Sequence, residues 1–268
     1  MRVVVLGGAG FIGAHLVRAL VSEGHDVRVF DKSQAALESA TFDPSIECLA
    51  GDFSDSGSIA SALDSCDACY HLISTTLPKS SNIDPVFDVE SNVVATLGLL
   101  RTAVELGVGK VVFLSSGGTV YGNPVTVPIS EGHPTEPLCS YGISKLAIEK
   151  YLNLYSTLHG LNYTVLRLSN PYGEGQRLGG SQGAVAVFLG RILAEHGVEI
   201  WGDGSVVRDY VYIADVVGAL LAALRKGSGK VINIGSGYGL SLNQILDSIE
   251  AVTGRTAKRI YMPGRAFD

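Results

Sequence analysis

The amino-acid sequence predicts an α/β protein, a doubly wound parallel sheet followed by a smaller C-terminal α/β part. Three observations carry this. Over about the first 170 residues, short β-branched runs alternate with segments of helical length or spacing, the pattern of successive βαβ units. The strand-like runs are continuously apolar, as strands buried on both faces must be. A glycine-rich turn joins the first strand to the first helix, where the backbone has to fold back tightly.

Taken in order, strands are expected at Arg2–Leu6, Asp26–Phe30, Ile46–Leu49, Ala68–Ile73, Lys110–Leu114 and Tyr163–Leu168. Asp84-Pro85 reads as an N-cap followed by a first-turn proline, opening a helix to about Leu106. A second long helix is expected from Ser140 to His159. After Pro171 the rhythm loosens. A glycine-rich loop (173–183) leads to a helix reaching about His196, and short strands fall near Glu199 and Tyr210. Helices near Ala214–Arg225 and Ser241–Val252 flank a strand at Val231–Ile234. No repeat or Pro-rich linker interrupts the chain, so the boundary is placed at residue 170: a dinucleotide-binding part over 1–170 and a substrate-binding part over 171–268.

Composition excludes several classes. The chain has 268 residues, a net charge of −6 and no run of Lys or Arg, which argues against nucleic acid and anionic membrane as partners. The longest apolar runs, near 184–190 and 216–224, fall short of the roughly 20 residues that span a bilayer. Four cysteines give no disulfide framework, so a reducing cytoplasm is the expected compartment. Cys66-x-x-Cys69 enters a predicted strand with no second ligand pair and reads as structural. The six histidines are scattered and no metal site is expected.

The chemistry lies in two motifs. Gly7-x-x-Gly10-x-x-Gly13 follows a strand and opens a helix, whose free N–H groups and partial positive charge suit a pyrophosphate. Asp31, 18 residues beyond Gly13 at the end of the second strand, is placed to accept from an adenosine ribose hydroxyl and to repel a 2′-phosphate. NAD is therefore preferred over NADP, although Lys32 next door could blunt the repulsion. Tyr141-x-x-x-Lys145 puts a phenol and an ammonium on one helix face. A positive charge nearby lowers a phenol pKa and makes tyrosine a usable general base. The pattern is common by accident on amphipathic helices. Here it follows Ser115-Ser116-Gly117-Gly118-Thr119-Val120-Tyr121-Gly122 at a strand end, where open α/β sheets place ligands.

These motifs, with Leu166-Arg167-Leu168-Ser169-Asn170-Pro171-Tyr172-Gly173, make the chain resemble the extended short-chain dehydrogenases/reductases. Within these it is most similar to the NAD-dependent nucleotide-sugar epimerase/dehydratase family of the UDP-glucose 4-epimerase type, over essentially its whole length. The resemblance implies a Rossmann-type fold and bound NAD, a cofactor regenerated in each cycle. It implies that Tyr141 removes the proton of the sugar C4 hydroxyl while Lys145 holds the nicotinamide ribose and tunes Tyr141. Phe11, Ile12, Asp52, Phe53, Leu72, Asn92 and Ser115 match cofactor-binding positions. Asn170, Gln182, Arg208, Tyr210 and Arg265 match positions that hold the nucleotide-sugar, the two arginines on the diphosphate. The alternative for Arg208 is an ion pair with Asp209 or Asp203.

Two departures stand out. The family's third catalytic group, a Ser or Thr, falls at Gly117, so Thr119, slightly favoured, or Ser116 has to substitute, or a water. Where a 4,6-dehydratase carries an Asp-Glu pair the chain has Gly118 and Thr119, and without an acid to protonate a leaving hydroxyl dehydration loses its chemistry. Family members also continue beyond the equivalent of Asp268, into a stretch that completes the sugar pocket. The expected function is an NAD-dependent nucleotide-sugar 4-epimerase on a UDP-hexose. A nucleotide-sugar 4-keto reductase and a catalytically silent NAD-binding module are the alternatives. Helices 85–106 and 140–159 are apolar on more than one face, which predicts a homodimer through a four-helix bundle, as the resemblance also implies.

Overall fold

The computed structural model describes residues 1–180 and 183–264. The chain forms two compact units, Met1–Leu168 with Val216–Ile234, and Ser169–Asp215 with the segment from Gly235 onward. The chain passes from one unit to the other after residues 168, 215 and 234, because Val216–Ile234 returns to the first unit.

The first unit is built on a seven-stranded sheet of order β10-β6-β5-β4-β1-β2-β3, with every pairing parallel. Its strands are β1 (Arg2–Leu6), β2 (Asp26–Asp31), β3 (Glu47–Ala50), β4 (Ala68–His71), β5 (Lys110–Ser116), β6 (Asn162–Leu168) and β10 (Lys230–Ile234). The return of the chain has a simple cause: Val231-Ile232-Asn233-Ile234 pairs with Val165–Leu168 and extends the sheet. The strand order reverses between β1 and β4, so the loops leaving their carboxyl ends diverge there and open a crevice. β4 ends at His71, two residues earlier than expected. β1, β4 and the Val111–Phe113 stretch of β5 are buried, the core of a sheet covered on both faces.

Helices α1 (Phe11–Ser22), α2 (Gln34–Ser39), α3 (Ser56–Leu63), α4 (Pro78–Ser81), α5 (Pro85–Asp88), α6 (Ala95–Glu105) and α7 (Ser140–His159) belong to this unit, with most of α9 (Ile213–Arg225). Asp84 caps α5 as expected, its carboxylate accepting from the Phe87 N–H at 3.0 Å. The single helix expected to run on to Leu106 instead contains a π-helical segment, Val89–Val94, between α5 and α6. In and beside this segment polar side chains are buried as well as apolar ones: Asp88, Asn92 and Thr96 alongside Val93 and Ala95. Glu149 of α7 forms a buried ion pair with Arg167 of β6 at 2.6 Å.

The second unit holds a three-stranded sheet, β11 (Gly239–Ser241), β9 (Val207–Tyr212) and β7 (Asn170–Tyr172), and a pair β12 (Arg259–Met262) with β8 (Val198–Trp201). Helices α8 (Ala184–Leu193) and α10 (Leu242–Thr253) cover them, with a core of Phe188, Ile192, Ile200, Tyr210, Leu246 and Ile249. Ser241 and Gln244 close a reciprocal cap at the start of α10. Among the described residues no helix is long and apolar enough to cross a membrane, and all four cysteines are free, with Cys66 and Cys69 buried.

Candidate active site

The dinucleotide end is assembled where β1 runs into α1. Gly7 has φ +81°, and a Cβ on Gly13 would stand 2.3 Å from the Gly7 carbonyl oxygen, so neither position admits a side chain without a backbone shift. Gly10 is the N-cap of α1 and offers no side-chain cap, which leaves the first-turn N–H groups for an anion. Asp31 Oδ2 accepts from the Ala9 N–H at 3.2 Å, fixing the carboxylate beside the loop. A bare helix start, a glycine cradle and a carboxylate at the next strand end fit the pyrophosphate and ribose of a dinucleotide.

Other expected cofactor residues lie around this cradle. Phe11 and Ile12 are half-buried in the first turn of α1, and Lys32 is exposed beside Asp31. Leu72 sits just past β4, its N–H donating to the Leu6 carbonyl at 3.0 Å. Phe53 is buried against the His71 ring. Asp52 is occupied with its own turn, accepting from the Ser54 N–H and hydroxyl, and these bonds hold its carboxyl below the usual range. The Asn92 amide is spent inside the protein, on Thr75 and Asp88, and the Ser115 hydroxyl donates to Glu149 at 2.5 Å.

The acid–base end lies at the carboxyl end of β5 and the first turn of α7. The Ser116 and Ser74 hydroxyls lie beside the Tyr141 phenol and favour its ionised form. Lys145 Nζ donates to the Leu114 carbonyl at 3.1 Å and stands 5.6 Å from the centre of the Tyr141 ring. Burial pushes the phenol up to about 12 and draws the Lys145 ammonium down to about 8. This corrects the expectation that the lysine charge brings the phenol down: both groups sit in low dielectric, and desolvation favours the neutral form of each. His71 is kept neutral, its pKa drawn down to about 3 by burial first and Lys145 second.

The Thr119 hydroxyl is buried and has no hydrogen-bond partner among the described residues, whereas the Ser116 hydroxyl lies beside the phenol. At Gly117 a Cβ would stand 3.1 Å from the Arg167 carbonyl oxygen and 3.3 Å from that of Leu168. Ser74 was not singled out from the sequence, where it is one hydroxyl in a Ser-Thr-Thr loop; only the closeness of β4 and β5 reveals it.

In the second unit, Asn170 and Tyr210 are register partners across β7 and β9, and Arg208 lies on the same face of β9 as Tyr210. Asn170 donates to the Asp209 carbonyl at 3.0 Å. The alternative ion pair of Arg208 is not formed. Its guanidinium donates to the Val207 carbonyl, while Asp209 accepts from Ser236 and Gly237 and Asp203 accepts from Ser205. Gln182 and Arg265 lie outside the described residues.

A sequence model of the NAD dependent epimerase/dehydratase family matches residues 3–235. The chain belongs to this family. Among its members, UDP-glucose 4-epimerase from Mycolicibacterium smegmatis is 37% identical over 276 residues, spanning 100% of this chain and 88% of that protein. dTDP-4-dehydro-6-deoxyglucose reductase from Escherichia coli is 35% identical over 258 residues, 92% of this chain and 80% of that one. Among solved structures, UDP-glucose 4-epimerase from Thermotoga maritima with UDP-glucose superposes with a TM-score of 0.95 at 36% identity, covering 100% of this chain and 87% of that one. The Thermus thermophilus UDP-glucose 4-epimerase complex with NAD gives 0.94 at 33% identity, covering 100% and 88%. Within the epimerase/dehydratase family, then, the chain's likenesses span isomerisation and reduction of nucleotide-sugars.

Proposed function

We propose that this protein is an NAD-dependent 4-epimerase of a nucleotide-sugar, a UDP-hexose. The observation that carries the reading is the Tyr141 phenol beside the Ser116 hydroxyl, with Lys145 one turn along the same helix, at the carboxyl end of a sheet whose first strand opens into a dinucleotide cradle. Bound NAD supplies a hydride acceptor that gives the hydride back. Tyr141, in its phenolate form, would take the proton of the C4 hydroxyl as C4 is oxidised and return a proton to the same oxygen when C4 is reduced. Ser116 donates a hydrogen bond that holds that oxygen, the part the family assigns to the position filled here by Gly117. Lys145, buried and able to lose its own proton near neutrality, orients the ribose and sets the readiness of Tyr141. Asn170, Arg208 and Tyr210, with Gln182 and Arg265, bind the nucleotide-sugar, Arg208 and Arg265 through the diphosphate.

Gly118 and Thr119 stand where a dehydratase needs acids, which favours epimerisation over loss of water. The likeness to a 4-keto reductase gives a second reading. Incubation with UDP-glucose, and separately with UDP-N-acetylglucosamine, without added cofactor separates them. The galacto configuration at C4 by proton NMR is expected from an epimerase carrying its own NAD. A reductase turns over only with stoichiometric reduced cofactor.

The homodimer belongs to the same reading. Val86, Phe87, Val89 and Val94 on one side, and Ile143, Leu154 and Leu158 of α7 on the other, are exposed apolar side chains on the two helices expected to pair. A second copy would cover them in a four-helix bundle. Light scattering at micromolar concentration should give a dimer; a monomer would remove this part. The free cysteines fit a reducing cytoplasm.

A further inference from the structure

Asp88 closes α5 and is fully buried. Its carboxylate accepts from four side chains. Oδ1 takes the Thr76 hydroxyl and, at 3.2 Å, the Asn92 amide; Oδ2 takes the hydroxyls of Ser140 and Ser144, each at 2.7 Å. Ser140 and Ser144 are one helical turn apart and each immediately precedes a reactive residue, Tyr141 and Lys145 respectively. One oxygen therefore grips α7 at two points adjoining the base and the lysine.

The other oxygen grips the loop after β4. Thr76 lies two residues beyond Ser74, whose hydroxyl meets the Tyr141 phenol and donates to the Thr76 carbonyl at 3.1 Å. The π-helical segment that begins at Val89 completes the arrangement, because it brings the Asn92 amide under both the Asp88 carboxylate and Thr75. Such segments recur at functional sites. A buried carboxylate is an expensive way to join elements that apolar packing could join. What it offers is two oxygens that only accept, enough for four donors from three segments.

We propose that Asp88 is a positioning residue of the reaction: it locks the first turn of α7 to the loop after β4, so that Tyr141 stays between Ser74 and Ser116. The proposal rests on Tyr141 being the proton acceptor.

The test uses the full-length protein with its bound cofactor and two variants. Asp88→Asn removes an acceptor, and Ser140→Ala/Ser144→Ala keeps the carboxylate but frees α7. Two readouts are taken: amide hydrogen exchange over residues 140–146, and kcat and KM for UDP-glucose. Both variants should exchange faster in that turn, and kcat should fall about 100-fold with KM nearly unchanged, the signature of misplaced reacting groups rather than lost binding. Should Asp88→Asn fail to fold, the serine variant gives the answer. Unchanged exchange, or faster exchange with kcat kept, would overturn the proposal. A wild-type enzyme inactive on UDP-glucose would overturn the assigned reaction and the kcat half with it, while exchange still judges the grip of Asp88 by itself.

Discussion

Glu149→Leu should destabilise the first unit severely. The Glu149 carboxylate accepts Arg167 Nε at 3.1 and 3.2 Å and Nη2 at 2.6 Å, and it also accepts the Ser115 hydroxyl. Both partners are almost fully buried, with 5% and 2% of their side chains exposed. Among the described residues, removing the carboxylate leaves the guanidinium one hydrogen bond, to the Tyr121 hydroxyl at 2.8 Å, and strands Ser115. An uncompensated buried charge of this kind costs about 3–5 kcal/mol. For a unit of this size each kcal/mol lowers Tm by roughly 2–4 °C, so a fall of about 6–20 °C is expected. Urea unfolding by circular dichroism and calorimetric Tm measure it. The double variant Glu149→Leu/Arg167→Met removes both charges and should recover most of the loss. A single variant within about 1 kcal/mol of wild type, or a double variant no better than the single, would refute the reasoning.

Three further outcomes are expected. Tyr141→Phe should retain NAD but lose at least about 100-fold in turnover, the low end of general-base contributions; equal activity would remove the proposed base. Gly13→Ala puts a Cβ 2.3 Å from the Gly7 carbonyl and 2.6 Å from the Gly8 Cα, so the variant should purify with much less bound NAD, read by release on denaturation. Lys145 holds its proton less tightly folded, near pH 8, than unfolded, near 10.5. Between those values the unfolded chain binds the extra proton, so stability should rise with pH in wild type relative to Lys145→Met. Parallel urea midpoints at pH 8 and 10 would contradict the burial of the ammonium.

Much of this was legible in the sequence because it is written locally. β1, β5 and β6 read as apolar runs, the glycine turn declares itself, and the Asp84 cap is side-chain chemistry three residues long. What escaped is set by long-range contact. Asp88 reads as a polar residue in a valine-rich helix; two of its four donors, Ser140 and Ser144, lie on a helix 52 and 56 residues further along the chain. The π-helical turn leaves no compositional trace. The three-residue strands β7 and β11 are too short to show periodicity, and β7 contains Pro171. The return of Val216–Ile234 to the first sheet depends on β10 finding β6, a pairing no local pattern encodes. The acid–base pair shows the same limit: spacing put Tyr141 and Lys145 on one face, but burial decided the direction of both pKa shifts.

The most direct test of the central claim follows the C4 hydrogen. UDP-glucose deuterated at C4 is incubated with the protein as purified, with no added cofactor, and the product is examined by NMR and mass spectrometry. Deuterium retained at C4 of a galacto product would show that the hydride leaves and returns within one site, as Tyr141-based epimerisation on resident NAD requires. No product, or product with protium at C4, would contradict it.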